Sequence, residues 1–204
     1  MKNSKQFLSI LIMLFMSISL FGQFKAKMVF NSMGKERAFT VYSADDGYRY
    51  EFNEDGQEGI VIVKNDSPDV IILMPQQKMA MKSPAESPMS MGSDPLKSYE
   101  HYQKAGTLKE VGKETINGVE CTKSELWNII GDEYGKVNQK LFTIWNSDKY
   151  NFPIKMINHI DGSKGSGMEL KDIEPWTPDA HSFSIPEGYQ VMDMGGMMQG
   201  RQKF

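Results

Sequence analysis

GYRYEFNEDGQEGIVIVKNDSPDVIILM, residues 47–74, decides the fold. Tyr48, Tyr50 and Phe52 alternate with Arg49 and Glu51, the period of two that marks a half-buried strand. Ile60-Val61-Ile62-Val63 and Val70-Ile71-Ile72-Leu73-Met74 lack that alternation. Short, β-branched and uninterrupted, they predict strands covered on both faces. Glu54-Asp55-Gly56 and Asn65-Asp66-Ser67-Pro68 supply turn residues between the runs, and Asp45-Asp46-Gly47 does the same before them. Upstream, Phe39 and Val41 lie in a run from Glu36 to Ser43, and weaker strands are expected at Phe24–Phe30 and Gln77–Met81. Short strands at this spacing form an antiparallel meander. The helical crossovers that parallel strands require have no room here.

Downstream the pattern breaks. Ser83 to Asp94 (SPAESPMSMGSD) has no apolar periodicity and reads as a long loop. A helix is expected next: Asp94 suits its N-cap, Pro95 its first position and Gly106 the residue past its end. Leu96, Tyr99 and Tyr102 would share one face of it. Strands then resume at Thr107–Thr115, Gly118–Leu126, Val137–Asn146, Pro153–Ile160, Gly167–Pro175 and Ser182–Ile185, with Asn117-Gly118 as a hairpin turn between the first two. The expected fold class is α+β and mostly antiparallel β: a curved half-barrel sheet of about eleven strands, with a helix covering its concave face. It occupies residues 23–190 as one domain. Residues 191–204, rich in Met and Gly, carry no pattern and are expected to be a disordered tail.

The N-terminus reads as an address. Lys2 and Lys5 precede an uncharged run from Phe7 to Phe21, and small Gly22 follows, the order of a cleaved signal peptide over residues 1–22. The run is shorter than the roughly 20 apolar residues of a spanning helix. Gln23 stands where a lipoprotein signal needs Cys, so the expected product is periplasmic or secreted and soluble.

The chain's 204 residues suit one domain, and 40% apolar content suffices for a core. A net charge of −3 speaks against nucleic acid as a partner. A single cysteine, Cys121, excludes an internal disulfide framework and reads as a small buried apolar residue. Catalytic signatures are absent: no G-x-S-x-G, no H-E-x-x-H, and His101, His159 and His181 lie far apart. GDEYGK (131–136) falls short of a P-loop, and the acids between Asp45 and Glu58 fail the calcium-loop template, with Ile62 standing where the bidentate Glu belongs. An enzyme is not expected, and no cofactor is implied. The unusual feature is sulfur. Sixteen methionines include Met79-Ala80-Met81, Met89-Ser90-Met91 and Met192-Asp193-Met194. Thioethers select soft cations such as Cu(I), and methionine also makes adaptable apolar surfaces.

Several segments together resemble a known family. Gly112 to Lys123 (GKETINGVECTK) resembles the central hairpin of LolA-like proteins, Trp145 with Pro153-Ile154-Lys155 their next strand pair, and Phe183 to Tyr189 (FSIPEGY) their closing segment. The nearest resemblance is to an uncharacterised family of exported domains common in Bacteroidetes that often ends in a Met/Gly tail. This implies a half-barrel enclosing an apolar cavity, and a carrier or sensor of lipid rather than an enzyme. The candidate cavity residues are Tyr50, Phe52, Ile62, Ile72, Met74, Met79, Met81, Leu96, Tyr99, Trp145 and Met156. The expected ligand is an apolar small molecule, or a lipid or lipoprotein acyl chain, held by a monomer that serves an envelope protein partner. Two alternatives stand beside it: Cu(I) handling by Met79, Met81, Met89 and Met91, and a ligand-free envelope scaffold. Export is expected to remove residues 1–22, and an intact-mass spectrum of the exported protein, starting at or near Gln23, checks this.

Overall fold

A computed structural model describes residues 22–195 apart from 33, 55, 133–134, 151 and 161–164, so the expected signal peptide lies outside the described residues. The first half is the expected meander: β1 Phe24–Ser32, β2 Lys35–Ala44, β3 Gly47–Glu54, β4 Gln57–Lys64, β5 Asp69–Met74 and β6 Met79–Pro84. Two helices follow, α1 Pro88–Ser93 and α2 Pro95–Gln103, and then β7 Thr107–Ile116, β8 Val119–Asp132, β9 Gly135–Ser147, β10 Phe152–Asn158, β11 Gly167–Pro175 and β12 Gln190–Asp193. The twelve strands among the described residues form one sheet in the order β12-β6-β5-β4-β3-β2-β1-β11-β10-β9-β8-β7. Every pairing is antiparallel except β12 with β6, which is parallel.

The sheet is strongly curled, and ring contacts show how far. Tyr48 on β3 packs edge-on against Phe152 on β10 with centroids 5.6 Å apart. Four strand spacings separate β3 from β10 in the sheet order, roughly 19 Å if the sheet were flat. Phe24 on β1 lies between them in the order and touches Phe152 at 5.4 Å. The α+β half-barrel architecture expected from the sequence is therefore the one observed.

The inner face is built by register. Ala26, Val41, Tyr50, Val61, Ile72, Met81 and Met192 are successive partners across β1, β2, β3, β4, β5, β6 and β12. A second row, Phe24, Ser43, Tyr48, Val63, Val70 and Ser83, runs beside it. At the other end Met156 pairs with Ile144 and with Met168. Most of the first buried cluster belongs to these rows and to Leu96 and Tyr99 of α2.

The outer face has its own core. Between β11 and β12 the chain crosses the back of the sheet as a strap from Trp176 to Tyr189. Trp176 packs against Tyr42 of β2 with the rings tilted, Arg49 of β3 donates to the Ser182 carbonyl, and Phe183 sits with Ile62, Ile71, Leu73 and Ala80. This explains the two uninterrupted apolar runs: Val61 and Val63 face the helices, whereas Ile62 faces the strap.

Four expectations are corrected. The strap residues Ser182–Ile185 do not form a strand; they pack side chains onto a sheet instead of pairing with one, and Pro186 has no N–H to donate. The stretch from Ser83 is not a long loop: β6 runs to Pro84, and Ser87 caps α1 by accepting from the Ser90 amide. The tail begins ordered, with Gln190–Asp193 as β12. The first half also takes part in one parallel pair, β6 with β12, the whole chain between Pro84 and Gln190 serving as the long crossover that such a pair needs; the twelve strands among the described residues agree with the expected number of about eleven. Truncating Phe183, only 9% exposed, to Ala should destabilise the fold by about 3 kcal/mol, read as a lower urea midpoint at unchanged slope.

Candidate ligand-binding face

α1 and α2 link β6, near one edge of the sheet, to β7 at the other, so they cross the mouth of the half-barrel. Local chemistry sets each end. Ser87 caps α1, its Oγ hydrogen-bonded with the hydroxyls of Ser83 (2.7 Å) and Ser90 (3.1 Å) in a buried cluster that ties the helix to β6. Asp94 caps α2 as the sequence predicts, its Oδ1 accepting from the Leu96 amide at 2.9 Å with Pro95 in the first turn. The same carboxylate does a second job: Oδ2 accepts the Tyr48 hydroxyl at 2.5 Å. One buried side chain thus starts the helix and fastens it to β3. Sequence reading finds the cap but not the latch, because Tyr48 lies 46 residues away.

Asp94 is fully buried. Burial pushes its carboxyl up to about 6, against the opposing pull of the Tyr48 hydroxyl and the Leu96 amide. Burial, and then the Asp94 charge, push the Tyr48 phenol well above its ordinary value, which keeps it a donor. From this latch α2 reaches across the barrel. Leu96 and Tyr99 are buried, and the Tyr99 ring meets Phe142 of β9 edge-on at 5.7 Å.

Beneath α2, Leu96 and Tyr99 pack into the first buried cluster. Two clefts open beside it, of about 360 and 340 Å³, both lined by Leu96, Glu100, Asp148 and Pro153. The first adds Tyr48, Tyr150 and Phe152, the second Tyr99, Ile144 and Ser147. The Ser147 hydroxyl is buried without a hydrogen-bond partner.

The structure sorts the eleven candidate cavity residues. Tyr50, Phe52, Ile72, Met74, Met79, Met81 and Met156 share the inner face with Leu96 and Tyr99 of α2. Tyr50, Leu96, Tyr99 and Met156 are buried beneath or within the helix layer, whereas Phe52, Ile72, Met74, Met79 and Met81 are half-buried. Two candidates lie on the outer face. Ile62 sits under the strap, and Trp145 pairs with Lys155 and lies between the ammonium groups of Lys123 and Lys155, its indole N–H donating to Glu114. Each is one residue out of phase with an inner neighbour, Val61 or Ile144, and a strand reverses face at every residue. The four methionines of the alternative metal reading also separate. Met79 and Met81 share a strand face, but Met89 and Met91 are two apart on a helix and point to different sides. The positions that sequence reading misses are Tyr48, Phe142, Ile144 and Phe152. Their signal is the burial expected of large apolar residues, but which strands curl together is not written locally.

Among the described residues no group of three or more His, Cys, Asp or Glu side chains is placed to hold a metal ion, and no helix is long and apolar enough to cross a membrane. No family model matches the chain, and no curated protein matches it. Solved structures do. An uncharacterized conserved protein from Thermus thermophilus superposes with a TM-score of 0.53 at 11% identity, over 91% of this chain and 99% of that one, and shares its fold. Weaker likenesses include a LolA superfamily protein from Nitrosomonas europaea (TM-score 0.38, 11% identity, 80% of this chain and 90% of that one). Another is MucB in the Pseudomonas aeruginosa MucA/MucB complex (TM-score 0.42, 11% identity, 83% of this chain). The chain spans 58% of that protein's length.

Because the Asp94 carboxyl rises from 3.8 to about 6 on folding, the folded state holds a proton that the unfolded chain has released. Its contribution to stability is complete below pH about 4 and lost as pH rises through 6, some 2–3 kcal/mol in all. Asp94→Asn keeps an acceptor for the Leu96 amide and carries no charge. The difference in urea stability between wild type and this variant should therefore change by about that amount between pH 4 and 7.5, with wild type losing ground as pH rises.

Proposed function

We propose that the protein is an exported, non-catalytic binding protein that holds an apolar ligand, a lipid or acyl chain, on the inner face of its half-barrel. The observation that carries this reading is the unbroken apolar row from Ala26 to Met192, which runs from beneath the helix layer out to a half-exposed edge. A core alone needs no such extension. The ligand enters by the clefts beside α2 and extends under it as the α1–α2 layer lifts. Lifting exposes chiefly Leu96 and Tyr99, each worth about 1.5–3 kcal/mol of burial, and breaks the Tyr48–Asp94 bond and the serine cluster that ties α1 to β6. An acyl chain offsets this by roughly 0.8 kcal/mol for each CH₂ it buries in their place. The LolA-like resemblance of the sequence supports the same reading. The envelope-scaffold reading is favoured by a different fact, the packing of Leu96 and Tyr99 into the first buried cluster.

A fluorescent C16 fatty acid separates the two. Wild type should bind it, and Leu96→Asp should weaken binding at least tenfold with an unchanged circular-dichroism spectrum. Tyr48→Phe, which frees the lid from β3, should tighten binding several-fold. A wild-type chain that binds no probe, and that shows only its own mass in a native spectrum after export and detergent-free purification, would leave the scaffold reading.

A further inference from the structure

The edge of the inner face is made of sulfur. Met74 of β5 is paired with Met79 of β6, and Met81, two residues on, is paired with Met192 of β12. Side chains two apart on a strand share a face, so all four thioethers stand on one side of three adjacent strands. Strands lie about 4.8 Å apart and alternate residues about 6.8 Å apart, so the four Cβ atoms occupy a patch that flexible methionine side chains span easily. All four are half-buried, neither locked in the core nor fully in water.

The residue choice is not explained by the strand. Along the middle of this face the sequence uses good strand formers, Val41, Tyr50, Val61, Val63, Val70 and Ile72, and the other inner methionines, Met28, Met156 and Met168, are fully buried in the core rather than half-exposed. Methionine has no comparable preference for strands, and a half-exposed edge position does not demand a large apolar side chain. Yet four inner-face positions of the three edge strands, Met74, Met79, Met81 and Met192, are methionine, beside Ser83 of β6 and Gln190 of β12. The fold also brings these strands together from afar: β12 is four residues long, and the strap delivers it to β6, with the Gln190 amide donating to the Lys78 carbonyl at 2.8 Å.

We infer that Met74, Met79, Met81 and Met192 form a binding site for a soft monovalent cation, Cu(I) or Ag(I). Neutral thioethers are the ligands that such d¹⁰ ions prefer, and three or four of them supply a trigonal or tetrahedral shell with no proton to displace. The site differs from the set that Met-x-Met spacing alone suggests. It keeps Met79 and Met81, drops Met89 and Met91, and recruits Met74 and Met192 through strand pairing. It does not depend on the apolar-ligand reading, since it uses the ligand-free protein.

The test is titration of the full chain with Ag(I) in chloride-free buffer, followed by methionine methyl NMR, and with Cu(I) in competition with bicinchoninate. One ion per chain should bind, and the four methyl signals of Met74, Met79, Met81 and Met192 should move together while those of Met28, Met156 and Met168 stay. Replacing Met79, Met81 and Met192 by Leu conserves volume and should leave the fold intact while affinity falls at least a hundredfold. Met89→Leu with Met91→Leu should leave affinity unchanged. Absence of binding in wild type, full affinity in the triple Leu variant, or shifts confined to other methionines would each overturn the inference. In the last two cases the thioethers would serve as apolar lining.

Discussion

A helix roughly 10 Å across is fastened to strands that a flat sheet would hold about 24 Å apart. Asp94 at the start of α2 takes the Tyr48 hydroxyl of β3, and Tyr99, little more than one turn later, meets Phe142 of β9. Five strand spacings separate β3 from β9, so both contacts exist only because the sheet curls. The rest of the molecule follows from that curl. Rings of Tyr48, Phe152 and Phe24 meet edge-on across the closing gap, and the ring of Phe52 lies where a Cβ on Gly59 would stand, 2.1 Å from its Cζ. Curling also concentrates the inner side chains while spreading the outer ones, which leaves the outer face needing separate cover.

The strap provides that cover, and it shows what a sequence can and cannot say. Ile60–Val63 and Val70–Met74 are legible as strands buried on both sides. What covers each side is not, because a continuous apolar run carries no phase. For that reason Ile62 reads as a cavity residue, yet it belongs under Phe183. Trp145 shows the same limit: an indole looks like core, yet its neighbours across the strands are Lys123 and Lys155, and pairing register alone reveals this. Features set by local backbone chemistry are legible in full. Asp94 and Pro95 start a helix, and Asn117-Gly118 turns a hairpin with both residues at positive φ, 50° and 79°. Features set by contact order are not. β12 and its parallel partner β6 are joined by a crossover whose endpoints lie more than 100 residues apart, and Gln190–Asp193 has no intrinsic strand pattern that announces the pairing.

The helix layer is fastened to the inner face by a chemically unusual contact. A buried carboxylate is a costly way to cap a helix, since burial disfavours its charge more strongly than Tyr48 and Leu96 favour it. An uncharged Asn would cap as well. The carboxylate adds a charge-assisted bond to the Tyr48 hydroxyl, which ties the first turn of α2 to β3. Glu86 and Lys104 pair at the surface and join the stretch before α1 to the end of α2.

The two ends of the inner face are accordingly built from different materials. Beneath α2 most side chains are aromatic or branched, with Met28, Met156 and Met168 fully buried among them, and they pack closely around Leu96 and Tyr99. At the β5-β6-β12 edge they are unbranched thioethers, half in solvent, on a strand pair of only four residues. Rigid packing fixes where the helix lands, and soft packing leaves the edge free to adjust to what it meets. The strap joins the two regimes, since the residues that cover the outer face are the ones that carry β12 to the edge. Loosening Phe183 or Ile185 would therefore act on the opposite face, through the pairing of Met192 with Met81, without touching either sulfur.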